Sequence, residues 1–224
     1  MIKEILQYKQ PNIDTEKDKE YCLSFGDRFD LNKLGRNIGN GLEHNVYMYG
    51  DRHVIKVPRF SGIYSRTAVQ IMLAEKYADI YFQPFHIPIE VIEQVTGYLI
   101  FQQFLCDCLP LEPHLLKDII IVEQFHDLLE RNRNMAEQHH VSIDFTGGGW
   151  NGAIESYIRS CLYHASPAPF LGNIVYTTST KRLYILDFDT ISIPRNNNRL
   201  WQHKSFLKQS IFLRVFFQSK IFGT

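Results

Sequence analysis

At 224 residues the chain can bury a substantial core, either as one large domain or as two small lobes. Hydrophobic residues at 45% and charged residues at 21% are an ordinary globular composition. The formal net charge is zero, which gives no bulk attraction to nucleic acid.

In chain order, residues 1–30 read as a polar lead-in, with Lys3, Glu4, Lys9, Asp14 and the run Glu16 to Glu20. Phe29 to Val57 alternates short strands and turns. Asn37-Ile-Gly-Asn-Gly-Leu42 makes one turn, and Tyr49-Gly-Asp-Arg52 makes a tight one before Val54-Ile-Lys-Val57. Ser65 can cap a helix running to about Phe82, with Ala68, Ile71, Met72, Ala74 and Glu75 spaced over two faces. Pro84 and Pro88 end it.

Ile89–Ile92 and Gly97–Phe104 then read as a strand pair. Pro110 and Pro113 precede an amphipathic helix from about Leu115 to Gln138, with Leu116, Ile119, Ile120, Phe125, Leu128 and Leu129 as its buried stripe. After Ile143-Asp-Phe-Thr146 and Gly147-Gly-Gly149, a helix over Ala153–Tyr163 closes at Pro167 and Pro169. Ile174–Tyr176 and Leu183–Leu186 flank a Thr177–Lys181 turn, a hairpin ending at Asp187. The order implies an α+β chain: a small antiparallel lobe over 31–104, a hinge near Gln102–Leu111, and a reduced, mainly helical lobe over 105–224.

Two positions point to chemistry. Lys56 stands inside an apolar strand, where an unpaired ammonium costs several kcal/mol, so a fixed anion is implied, either a carboxylate or a ligand phosphate. Asn173 and Asp187 lie 14 residues apart across the hairpin, which brings an amide oxygen and a carboxylate to one end.

Taken in order, these elements resemble the protein-kinase-like fold. The resemblance runs from about Leu34 to Ile193 and is closer to its small bacterial branch of aminoglycoside, choline and lipopolysaccharide-core kinases. Ile38-Gly-Asn-Gly-Leu-Glu-His-Asn-Val46 is similar to the glycine-rich loop, with His44 in place of the third glycine. Val54-Ile-Lys-Val57 is similar to the Val-Ala-Ile-Lys strand, and Gly172-Asn-Ile-Val-Tyr176 with Leu183-Tyr-Ile-Leu-Asp-Phe-Asp189 to the metal-binding hairpin. The resemblance implies ATP and Mg2+ as cofactors. Gly39, Gly41 and Lys56 would meet phosphates, and Glu75 would pair with Lys56. Backbone groups around Gln102 and Phe104 would meet an adenine edge with Phe101 behind them, and Asn173 and Asp187 would hold the metal.

The family's catalytic aspartate sits five residues before the metal asparagine; here that position is Ala168. Either Asp144, following the long helix, supplies the base, or the base is absent and the chain is a pseudokinase that binds nucleotide and acts through a protein partner. The 35 residues after Asp189 are expected to be too few for a peptide-substrate platform, which favours a small-molecule or headgroup acceptor. They carry Arg195, Arg199, Lys204, Lys208, Arg214 and Lys220 among aromatic and aliphatic residues, a pattern that completes a lobe core or lies on an anionic membrane.

The four cysteines form no Cys-x-x-Cys pair, and no secretory signal opens the chain, so a reducing, cytoplasmic setting is the expectation.

Overall fold

A computed structural model describes residues 15–41, 43–59, 66–95, 97–111, 115, 118–143, 173–188 and 190–192. Asp144, Ala168, Asp189, the helix expected over 153–163 and the basic segment after 193 lie outside the described residues. The chain divides into two compact units, 1–72 with 88–105 and 73–87 with 106–224.

In the first unit, β1 (Leu34–Asn40), β2 (His44–Tyr49), β3 (His53–Pro58), β4 (Ile89–Gln94) and β5 (Gly97–Gln103) form one antiparallel sheet in the order β1-β2-β3-β5-β4. Residues 1–30, read as a lead-in, include helix α1 (Thr15–Leu23). Its Cys22, with Phe25 and Phe29 beyond it, packs on Tyr47, Ile55, Val57 and Leu99. Asp18 anchors the helix by accepting from Asn45 Nδ2 at 2.8 Å and Tyr47 Oη at 2.6 Å. Burial against this sheet pushes the Cys22 thiol and the Tyr21 hydroxyl each up to about 12.

Strand alternation puts Lys56 on the other face of the sheet. Register sets Val46, Lys56, Ile100 and Val91 in one row across β2, β3, β5 and β4. That face is covered by Ala68 and Ile71, at the start of helix α2 (Ala68–Tyr81), which pack with Tyr98 and Ile100. The cap of α2 is Thr67, two residues beyond the expected Ser65. Thr67 Oγ1 accepts from Gln70 N while Gln70 Oε1 accepts from Thr67 N, a reciprocal capping box.

The second unit is built on the rest of α2 and on helix α3 (Ile119–His139). With them stand a three-stranded sheet, β6 (Cys108–Pro110), β8 (Ile174–Thr177) and β9 (Arg182–Ile185), and a two-stranded one, β7 (Val141–Ile143) with β10 (Thr190–Ser192). Its core joins Ala74, Ala78, Phe82 and Phe85 to Ile121, Phe125, Leu128, Met135, Ile174, Leu183 and Ile185. The buried stripe of α3 is Ile121, Phe125, Leu128, Asn132 and Met135. Ile119 and Ile120, expected inside, are exposed. Ile121 stands four and seven residues before Phe125 and Leu128 and shares their face, which turns Ile119 and Ile120 away from it; Asp118 caps the helix by accepting from Ile120 N.

Strands, a helix, a strand pair, a long helix and a hairpin thus follow one another in the order expected from the sequence. Among the described residues no helix is long and apolar enough to cross a membrane.

Candidate functional site

In the first unit Lys56 is only 8% exposed, flanked on its strand by Ile55 and Val57, which point into the α1-side core. Its own face also carries His44 of β2 and Gln102 of β5, both buried. Gly39 pairs with Val46, the residue that also pairs with Lys56, so the glycine turn and the lysine lie along one line of the sheet. Gly41 N–H closes that turn on His44 O at 2.8 Å. A Cβ at Gly39 would meet Val46 Cβ at 3.8 Å and one at Gly41 would meet His44 O at 3.5 Å, both ordinary contacts. The chain's own packing therefore does not demand glycine at either position.

His44, which stands where the third glycine of the motif would be, is buried, and its Nε2 lies 3.0 Å from Tyr98 Oη. Next to it, Glu43 accepts from Arg66 Nε at 2.8 Å, and Arg59 N–H donates to Glu43 O. The turn is thus tied by side chains on both flanks. None of these ties was expected, since the partners are 54 and 23 residues away from His44 and Glu43.

Gln102 shares the Lys56 face, as its pairing with Val54 requires. Phe101 does not. It lies on the α1 side, with its ring 5.0 Å from that of Tyr49, so the expectation that it backs an adenine pocket is corrected by strand alternation. Phe104 donates its N–H to Arg52 O at 2.8 Å.

The second unit holds Glu75, Asn173 and Asp187. Hairpin β8–β9 pairs Ile174 with Ile185, and Leu186 N–H donates to Asn173 O at 2.8 Å. Asn173 and Asp187 therefore stand at one end of the hairpin, both half-buried. Helix α3 holds the other end: Gln124 bonds Lys181 O and Leu183 N, and Asp118 accepts from Lys181 Nζ at 2.9 Å. The Lys181 ammonium keeps the Asp118 carboxyl below the ordinary carboxylate range. An amide oxygen and a carboxylate at one strand end fit Mg2+ by donor type.

Asp144 lies outside the described residues, but the strand that leads to it does not. β7 pairs with β10, Ile143 opposite Thr190, so the chain entering position 144 runs beside the chain leaving Asp187. Asn132, 2% exposed in α3, fixes β7 by accepting from Ile143 N–H at 2.9 Å.

Glu75 has a partner that sequence reasoning missed. His86 Nε2 lies 3.0 Å from its Oε2, and His86 Nδ1 lies 3.5 Å from Asp79 Oδ1. The available signal was the spacing of Glu75 and Asp79, one helical turn apart, beside a histidine after the helix-ending Pro84.

No protein-family model and no curated protein matches the chain. Among solved structures it is similar to a choline/ethanolamine kinase family protein from Mesorhizobium loti, at 14% identity and a TM-score of 0.42, over 79% of this chain. It is also similar to a chain of the CAK complex from Chaetomium thermophilum bound to ATP-γ-S, at 14% identity and a TM-score of 0.39, over 80% of this chain. The matches cover 65% and 51% of those two chains, so this one spans less than two thirds of the length of either.

Proposed function

We propose that the chain binds ATP with Mg2+ and moves the γ-phosphate to a small-molecule or headgroup acceptor. The observation that carries this reading is the hairpin register that sets Asn173 and Asp187 at one strand end. A cation held there would neutralise charge on the transferring phosphoryl group. Lys56 would meet the α- and β-phosphates and Glu75 would orient it, while the Gly39–Gly41 turn would approach phosphate oxygens. Room for a Cβ at Gly39 supports that role, because glycine there answers no need of the fold itself. Gln102 and Phe104 would border the base, and Asp144 would accept the acceptor's proton. The pairing of β7 with β10 supports Asp144, since it runs the chain before it alongside the chain after Asp187.

One observation favours a second reading. Ala168 occupies the position five residues before Asn173, and its methyl group cannot accept a proton. A nucleotide-binding pseudokinase acting through a protein partner fits that residue. Release or transfer of the γ-phosphate by the wild type, Asp187→Ala and Asp144→Asn separates the two. Transfer that disappears in Asp187→Ala and drops about 10²- to 10⁴-fold in Asp144→Asn supports the transferase. Mg2+-dependent ATP binding without turnover supports the pseudokinase, and a wild type indifferent to ATP contradicts both.

A further inference from the structure

His86 is 7% exposed and sits where three parts of the second unit meet. Its imidazole reaches Glu75 through Nε2 at 3.0 Å and Asp79 through Nδ1 at 3.5 Å, both on α2. Its backbone forms a parallel bridge with Ile185 on β9, and the preceding residue, Phe85, accepts from Ile185 N–H at 2.8 Å. Its ring also lies against Phe188, 6.3 Å between centroids, and Phe188 packs on Phe82 of the same core at 5.3 Å. Two residues beyond Ile185, and one before Phe188, stands Asp187.

The same three side chains, Glu75, Asp79 and His86, lie close enough together to suggest a metal site. Of these contacts the one to Glu75, Nε2 to Oε2 at 3.0 Å, is a hydrogen bond, and it is the one that bears on the carboxylate's position.

We infer that His86 is a positioning residue that fixes the Glu75 carboxylate relative to the strand carrying Asp187. The inference rests on the nucleotide-site reading above and adds a support that the resemblance does not supply. Loss of a hydrogen bond from a buried site leaves the carboxylate less tightly held, and a group that must orient Lys56 at fixed geometry then costs the ligand affinity.

The test is a calorimetric titration of ATP in excess Mg2+ into the full chain, as wild type, His86→Ala, His86→Gln, Glu75→Gln and the double variant His86→Ala/Glu75→Gln. ATP affinity is expected to fall about tenfold in His86→Ala and to recover largely in His86→Gln, whose amide still donates toward Glu75. Glu75→Gln should weaken binding by a similar factor, and His86→Ala should add nothing on that background. A merely structural histidine would weaken binding equally in both backgrounds, and that additivity overturns the inference, as does unchanged affinity in His86→Ala. Where His86→Ala fails to fold, Glu75→Gln decides, and unchanged affinity there overturns the inference. If the wild type binds no ATP, the nucleotide reading fails and takes this inference with it. Binding by the wild type with additive losses removes the inference alone.

Discussion

An ammonium in the middle strand of a five-stranded sheet is stable only while it is paired or reaches water, and Lys56, at 8% exposure, has little water. The glycines around it divide into two kinds, and two substitutions tell them apart. Gly97 has φ +153, and a Cβ there would fall on the Tyr21 hydroxyl, which accepts from Tyr98 N and donates to Tyr98 O. Gly97→Ala should therefore cost about 1–3 kcal/mol of stability, read as a lower urea midpoint at constant slope. Gly39 has space for a methyl group, so Gly39→Ala should leave the midpoint unchanged while weakening ATP binding. A fall in stability there, with binding intact, would contradict the phosphate role. The same α1 contacts carry a pH signature. Cys22 and Tyr21 titrate at about 12 in the folded chain, against 9.0 and 10.0 for the unperturbed groups. The unfolded chain therefore loses these protons first, and the stability they represent is complete below about pH 9 and declines as pH rises from 9 toward 12. Urea midpoints at pH 8 and pH 11 check this, and the variant Cys22→Ala should show a smaller decline.

Among the elements, α3 does the most to place the candidate base. Asn132 occupies a core position of its stripe, where its amide oxygen accepts from Ile143 N–H at the end of β7 that leads to Asp144. Asn132→Ala should cost about 1–3 kcal/mol by removing that acceptor, and should raise amide exchange at Ile143. Unaltered exchange would mean that β7 is held by its pairing with β10 alone. The hairpin β8–β9 was legible beforehand, because apolar runs of three and four residues flank a polar turn and the second ends on an acid. Helix α3 was legible at its C-terminal end but not at its start, expected near Leu115 and found at Ile119, nor in phase, since three consecutive isoleucines at 119–121 satisfy several stripes and only Ile121 shares a face with Phe125 and Leu128. Helix α1 was missed because its charged surface hides the contributions of Tyr21, Cys22, Phe25 and Phe29. The β7–β10 pairing and the bridge from His86 to Ile185 had no signal: each joins short segments about 50 and 100 residues apart, and tertiary packing alone selects them.

At the scale of the molecule, each of the two units has its own apolar core. The first unit carries the glycine turn, Lys56 and Gln102. Glu75, Asn173 and Asp187 belong to the second. The account thus requires that groups far apart in the chain act on the same ATP, Lys56 on its phosphates and Asp187 through Mg2+. Isothermal titration of ATP, with and without Mg2+, into the wild type, Lys56→Met and Asp187→Ala tests this most directly. The prediction is Mg2+-enhanced binding by the wild type, weaker binding by Lys56→Met under both conditions, and in Asp187→Ala a residual affinity that Mg2+ no longer raises. Equal ATP affinity in all three proteins, or a Mg2+ dependence that survives Asp187→Ala, would contradict it.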